Sequence, residues 1–197
     1  SKEFEAVGFF ISDHPLNQFK EIFDDYNIID YKSFLSGDSM KKNNIAATLL
    51  KIQERKTSKG NSYAVIKLTD LSSVFELFIF SEVLELNRNI LIEGNSLLIT
   101  LNKNLSDDEN RFKRVNVSKI VLVKDLYNKP ISNLELTLNN SKQISLLNNF
   151  EIYGNTNITL KLKDNQKIFT FKLNKNRKVE RNSLNLLKNE GIISKIY

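Results

Sequence analysis

Between Asn44 and Val123 the apolar residues recur at alternate positions in one short segment after another, a pattern that commits the stretch to packed β-structure. Residues 45–52 form an apolar run that ends in Gln53-Glu54-Arg55-Lys56, and Thr57-Ser58-Lys59-Gly60 is turn material. Residues 62–69 alternate, with Ala64, Ile66 and Leu68 on one face and Tyr63, Val65 and Lys67 on the other. Residues 74–80 do the same, setting Phe75, Leu77 and Ile79 against Glu76, Phe78 and Phe80. Val83, Leu86 and Ile90 then fall at helical spacing, with Gly94 just beyond as a stop signal. Residues 96–101 and 112–123 are the last two strands, joined by a polar loop over residues 102–110.

Three strands, a helix and a closing hairpin is the order of a five-stranded OB barrel, a fold whose outer groove holds single-stranded nucleic acid or oligosaccharide. If the Ala64, Ile66, Leu77 and Ile79 face points inward, Tyr63, Lys67, Glu76 and Phe78 point outward. Tyr63 and Phe78 are then placed to stack bases. Arg55, Lys56 and Lys59 flank the loop between the first two strands, and Arg111, Lys113 and Arg114 flank the loop between the last two. These loops border the usual OB groove, where phosphate contacts are expected. The competing readings are that Phe78 is covered by the segment preceding the barrel and that the lysines are merely solvated.

Charge divides unevenly along the chain. Residues 1–41 hold four Lys and Arg against eight Asp and Glu, a net of −4; residues 42–125 hold 13 against 10, a net of +3; residues 126–197 hold 12 against five, a net of +7. The positive sections suit phosphate or acidic partners, although a chain with 26 asparagines also has a composition that favours lysine. Absence of cysteine removes disulfides, thiolate metal sites and cysteine nucleophiles, and a single histidine, His14, leaves no histidine cluster or triad. No metal or cofactor is therefore expected in this chain. No run approaches the length of a membrane helix and the start has no basic-then-apolar signal pattern, so a cytoplasmic location without membrane contact is expected.

The expected architecture is α+β in three sections: a helical segment over residues 1–41 that ends a preceding domain, the OB barrel over 42–125, and a small domain over 126–197. The first section reads as two helices broken at Ser12-Asp13-His14-Pro15. In the last, Leu134, Leu136 and Leu138 mark a strand, residues 141–150 a short helix capped by Ser141, and Ile158-Leu160-Leu162 and residues 168–173 two strands joined at Lys163-Asp164-Asn165-Gln166. Residues 183–189 form a second helix closed by Gly191, and residues 192–197 a final strand. The order is β-α-β-β-α-β, with helices on one face of a sheet.

The run Glu5-Ala6-Val7-Gly8-Phe9-Phe10-Ile11-Ser12-Asp13-His14-Pro15-Leu16 resembles a segment of bacterial DNA polymerase III alpha subunits that lies just before their OB domain. Thr57-Ser58-Lys59-Gly60-Asn61, Leu68-Thr69-Asp70-Leu71-Ser72 and Glu76-Leu77-Phe78-Ile79-Phe80 with Glu82-Val83 resemble that family's barrel. Asp13 and Ser73 depart from it, each standing where the family usually has glycine, and Ile193-Ser194-Lys195-Ile196-Tyr197 lacks the family's acidic ending. The resemblance implies a non-catalytic C-terminal portion of a DNA-directed DNA polymerase, a nucleotidyltransferase whose catalytic palm lies outside this chain. It implies an OB domain that binds single-stranded template DNA and a last domain that docks the tau subunit of the clamp loader, with Lys175, Arg177, Lys178, Ile193, Ile196 and Tyr197 as candidate partner contacts. Two other readings stay open: a protein-interaction scaffold that binds no DNA, and an anticodon-type OB domain of a tRNA enzyme.

Three further motifs have bland explanations. His14 beside Pro15 reads as a structural turn histidine. Asp107-Asp108-Glu109 reads as a solvated hairpin tip, because consecutive carboxylates point different ways. Gln143-Ile144-Ser145-Leu146-Leu147 resembles a sliding-clamp-binding peptide, but Ile144 and Leu147 share one helical face and so read as core.

Overall fold

The protein is described by a computed structural model over residues 13–37, 42–104 and 114–196. Arg111, Lys113, Tyr197, the run Asp107-Asp108-Glu109 and the first eight residues of the Glu5–Leu16 motif lie outside those residues. The chain divides into two compact units, Ser1–Asn128 and Lys129–Tyr197. Both are mixed α+β, mostly antiparallel sheet with few helices, and the first is compatible with an OB-like fold.

The first unit begins with a 3-10 helix, Pro15–Ile22, followed by β1 (Ile28–Ile29) and α1 (Tyr31–Ser36). An α-helix was expected for this stretch. Pro15 occupies the first turn, and the His14 side chain accepts from the Leu16 amide instead of an acid or hydroxyl capping it. The sheet is built from β2 (Asn43–Lys56), β3 (Ser62–Thr69), β4 (Val74–Phe80), β5 (Ser96–Asn104) and β6 (Arg114–Leu122), in the order β4-β3-β2-β5-β6, with β1 added parallel to β2. Strands β4 and β6 at the two ends of this path come close to each other, and α2 (Ser81–Asn87) packs against β3, β4 and β6. All neighbours in the path pair antiparallel.

The alternation read from β3 and β4 holds: Ala64, Ile66, Leu68, Phe75, Leu77 and Ile79 are buried in one core cluster. The apolar run in β2 has a different cause. Ile45, Ala47 and Leu49 enter that core, while Ala46 points the other way and packs with Leu98, Leu16, Ile22 and Val123 in a separate cluster. A strand covered on both faces has no polar alternation to show. The cover is supplied by the 3-10 helix and by α3 (Val123–Asn128), whose Tyr127 ring meets Phe19 edge-on at 5.7 Å. Burying Leu16 and Ile22 completely contributes about 1.5–3 kcal/mol each. Residues 15–36 are thus part of the same compact unit as the sheet of β2–β6.

The second unit carries β7 (Asn133–Leu138), a second 3-10 helix (Ser141–Phe150), β8 (Tyr153–Asp164), β9 (Lys167–Lys172), α4 (Arg181–Asn189) and β10 (Ile193–Ile196). Its sheet order is β10-β7-β8-β9, with β7 and β8 parallel and the rest antiparallel. Leu134, Leu136, Leu138, Ile158 and Leu160 bury one face under Phe150, Leu184 and Leu187. The β8–β9 turn places Asn165 and Gln166 at φ 43° and 72°, the left-handed pair that suits a two-residue hairpin. Gly191 at φ 77° closes α4: its amide donates to Lys188 O and that of Ile192 to Leu187 O, a Schellman stop. Among the described residues no helix is long and apolar enough to cross a membrane.

Candidate nucleic-acid interface

Register fixes the outer face of the first unit. Arg55 pairs with Tyr63, which pairs with Phe80; Gln53 pairs with Val65, which pairs with Phe78; Lys51 pairs with Lys67, which pairs with Glu76. All nine side chains alternate away from the core, so this wall presents three aromatic rings, three cations and one carboxylate. Phe78 is 53% exposed and Phe80 46%. Phe78 is a diagonal neighbour of Tyr63, with ring centroids 6.4 Å apart and planes 29° from parallel. Among the described residues the 3-10 helix before the sheet packs on Ala46 and Leu98, and Phe78 stays largely exposed.

Beside this wall lies a cleft of about 750 Å³ lined by Tyr63, Glu76, Leu77, Phe78, Phe80, Tyr31, Val115 and the Lys56-Thr57-Ser58 corner. Tyr31 comes from α1 and lies flat on Phe75, centroids 4.0 Å apart and planes at 13°. Its placement traces back to Asp70, a buried turn carboxylate that accepts from the amides of Ser72 (2.8 Å), Ser73 (2.7 Å) and Tyr31 (2.7 Å). Asp30 caps the same helix by accepting from the Ser33 amide at 2.8 Å, and that bond holds its carboxyl below the usual range. Burial raises the Tyr31 phenol, so it stays protonated as a donor. His14 has the structural role expected of it: buried, it accepts from the Leu16 amide at 3.1 Å and lies 3.4 Å from Thr69 Oγ1. Burial pushes its pKa down, against an opposing pull from Asp70.

The sequence-expected residues divide as follows. Arg55, Lys56 and Lys59 are exposed at the end of β2 and in the following turn, with Arg55 Nη2 donating to Gln53 Oε1 at 3.2 Å. Tyr63 and Lys67 are half-buried on the outer wall with Phe78. Arg114 opens β6 with its backbone opposite Asn104. Phe80 and Tyr31 were not singled out from sequence. Phe80 shares the parity of Phe78 and was legible; Tyr31 reaches the cleft only through a long-range turn contact. Arg88, the other basic group near this hairpin, is engaged on the opposite side between Glu54 (2.5 Å) and Glu85 (2.8 Å). Its hydrogen bonds hold both carboxyls below their usual range.

In the second unit, Lys175 and Arg177 lie over the ring of Tyr153, and Lys178 pairs with Glu180 at 2.9 Å. Ile193 is exposed, whereas Ile196 packs against the core. The clamp-peptide resemblance falls in the second 3-10 helix. There Gln143 Oε1 accepts from the Asn139 amide at 2.7 Å, its Nε2 donates to Glu190 O at 2.8 Å, and Leu146 and Leu147 pack on the core. Gln143, Leu146 and Leu147 are thus engaged internally, whereas Ile144, expected in the core with Leu147, is 46% exposed. Among the described residues no group of three or more His, Asp or Glu is placed to hold a metal.

No protein-family model matches the chain. A chain of Entamoeba histolytica asparaginyl-tRNA synthetase aligns over 51% of this chain and 25% of its own, at 22% identity and a TM-score of 0.35, too distant for inference. Sequence similarity is more informative. The chain is 30% identical over 144 residues to DNA polymerase III subunit alpha of Rickettsia felis, covering 72% of this chain and 12% of that protein. It is 34% identical over 113 residues to the protein of the same name in Rickettsia conorii (56% and 9%), and 29% identical over 185 residues to that of Borreliella burgdorferi (87% and 16%). The chain is therefore similar, over most of its length, to a stretch amounting to between 9% and 16% of DNA polymerase III alpha subunits.

Proposed function

We propose that the chain is a non-catalytic portion of a DNA polymerase III alpha subunit, whose first unit holds single-stranded template DNA near a polymerase site carried elsewhere. The observation that carries this reading is the outer wall of β2, β3 and β4, where exposed Phe78 and Phe80 stand with Tyr63 among Arg55, Lys51 and Lys67 beside an open cleft. Single-strand binding without sequence preference needs that combination: flat rings for the bases and cations for the backbone. Glu76 at the end of the wall sets a limit, since it repels phosphate and leaves the Arg55 end as the favoured path for the backbone. The parent protein's template-directed synthesis, and docking of the clamp-loader tau subunit by the C-terminal unit, belong to the same proposal. They are supported by the similarity to alpha subunits and by the +7 charge of residues 126–197. No bond is made or broken in this chain; it raises the local concentration of template and partner.

The test is a salt titration of binding to a labelled single strand and to the matching duplex. Each phosphate contact to a single strand contributes about 0.7 to the slope of log affinity against log salt. Arg55→Ala with Lys59→Ala is expected to weaken single-strand binding and to reduce that slope by about 1.4. An unchanged slope and affinity remove both residues from the mechanism.

A further inference from the structure

Two of the cations that the sequence offers as candidate partner contacts, Lys175 and Arg177, are gathered on a single aromatic ring of the C-terminal unit. Tyr153, at the start of β8, is 63% exposed. Nζ of Lys175 lies 4.7 Å and Cζ of Arg177 4.9 Å from the centroid of its ring. Two like charges gathered on one ring repel each other, and both are donor-only groups. The arrangement is built into the backbone. The Lys178 amide donates to Ile152 O at 2.8 Å and that of Gly154 to Asn176 O at 3.3 Å, while Arg177 bridges Tyr153 and Thr156. The strap lies so close that a Cβ on Gly154 would meet the Lys178 backbone at 2.6 Å, so only glycine allows the approach. Lys178 adds a third cation at the rim, shared with Glu180.

We infer that Tyr153, Lys175 and Arg177 form a second single-stranded nucleic-acid contact, separate from the outer wall of the first unit. The two cations take phosphates of the backbone, and the ring they vacate takes a base. The exchange is favourable in principle, because an exposed cation–π contact is weaker than base–aromatic stacking, and the cations gain charged acceptors when they leave the ring. An acidic peptide's carboxylates satisfy the cations alone, whereas a single strand satisfies the cations with phosphates and the ring with a base. The inference goes beyond the template-binding role of the first unit and does not rest on it.

The experiment uses the whole chain and an oligothymidylate of about 20 bases, a length that spans more than one site of this kind. Lys175→Gln with Arg177→Gln is expected to lower affinity about tenfold and the salt slope by about 1.4. Tyr153→Leu is expected to lower affinity about fivefold and leave the slope unchanged. A strand carrying 5-iodouracil should photocrosslink to Tyr153. Each measurement is repeated with Tyr63→Ala and Phe78→Ala present. If only the first-unit variants bind normally and the Tyr153 effects persist, the barrel reading fails and this one stands. Unchanged affinity and slope in the double glutamine variant, with no crosslink at Tyr153, overturns the inference. So does a variant that loses binding to a polyglutamate peptide while still binding DNA normally, which would assign the patch to an acidic protein.

Discussion

Truncating the two diagonal rings of the outer wall separates a binding surface from a structural one. Tyr63 and Phe78 lie 6.4 Å apart on neighbouring strands, and Phe78 is 53% exposed. Burying a phenylalanine completely contributes about 1.5–3 kcal/mol, so a ring only half removed from water forfeits about 1 kcal/mol of stability on truncation. Base stacking on such a ring is worth about 1–3 kcal/mol, and about 1.4 kcal/mol is a factor of ten in affinity. Phe78→Ala is therefore expected to lower single-strand affinity by about fivefold to somewhat over a hundredfold, while the folding free energy falls by only about 1 kcal/mol. The rings touch, so each supports the other; the double variant Tyr63→Ala, Phe78→Ala should fall short of the summed single losses by about 0.5 kcal/mol or more. Fluorescence anisotropy with a labelled oligothymidylate gives the affinities, and urea denaturation of the same preparations gives the stabilities. Wild-type affinity in the double variant, with the denaturation midpoint lowered as calculated, would refute the stacking role and leave the rings as ordinary surface.

Other outcomes follow from the packing. Leu16→Ala removes a fully buried side chain from the cluster against Ala46 and Leu98 and should cost about 2–5 kcal/mol; a cost below 1 kcal/mol by denaturant titration would show that the 3-10 helix is a loose attachment. Gly191→Ala places a Cβ at φ 77° and should destabilise the chain by about 1–2 kcal/mol, with Gly191→Asn milder; equal stability in all three would refute the Schellman stop. His14 is held by burial below the usual histidine value of 6.5, so its contribution to stability is fully present above that value and is lost as pH falls through the lower folded value. His14→Ala should lose about 1 kcal/mol at neutral pH and show a flatter loss between neutrality and mild acid; parallel pH profiles for the two proteins would contradict this.

The parts of the fold that were legible in the sequence are those where one face meets the core and the other meets water. In β3 and β4 each residue reports its own direction, so Tyr63, Lys67, Glu76, Phe78 and Phe80 could be set on the outer wall from the sequence. The polar tail of β2 was harder to read. Gln53, Glu54, Arg55 and Lys56 look like loop, yet they pair with residues 62–65, and both sides of that hairpin are wet at its tip. The helix α3 follows β6 with no intervening turn, so Val123 satisfies both patterns and no punctuation marks the change. In the second unit Asn140, not Ser141, caps the 3-10 helix by accepting from the Lys142 amide; two good caps in succession cannot be ranked from sequence. Tyr31 was invisible for a different reason. Its position depends on Asp70, 39 residues along the chain, and no local pattern carries a contact of that span.

The edge-on contact of Phe19 with Tyr127 has a mechanical consequence. It joins the 3-10 helix that enters the unit to α3 that leaves it, so both flanks of the sheet are held together over the cluster of Leu16, Ile22, Ala46, Leu98 and Val123. The same proximity lets a short link join the 3-10 helix to α3 in a circular permutant, with new ends opened in the Thr57–Gly60 turn.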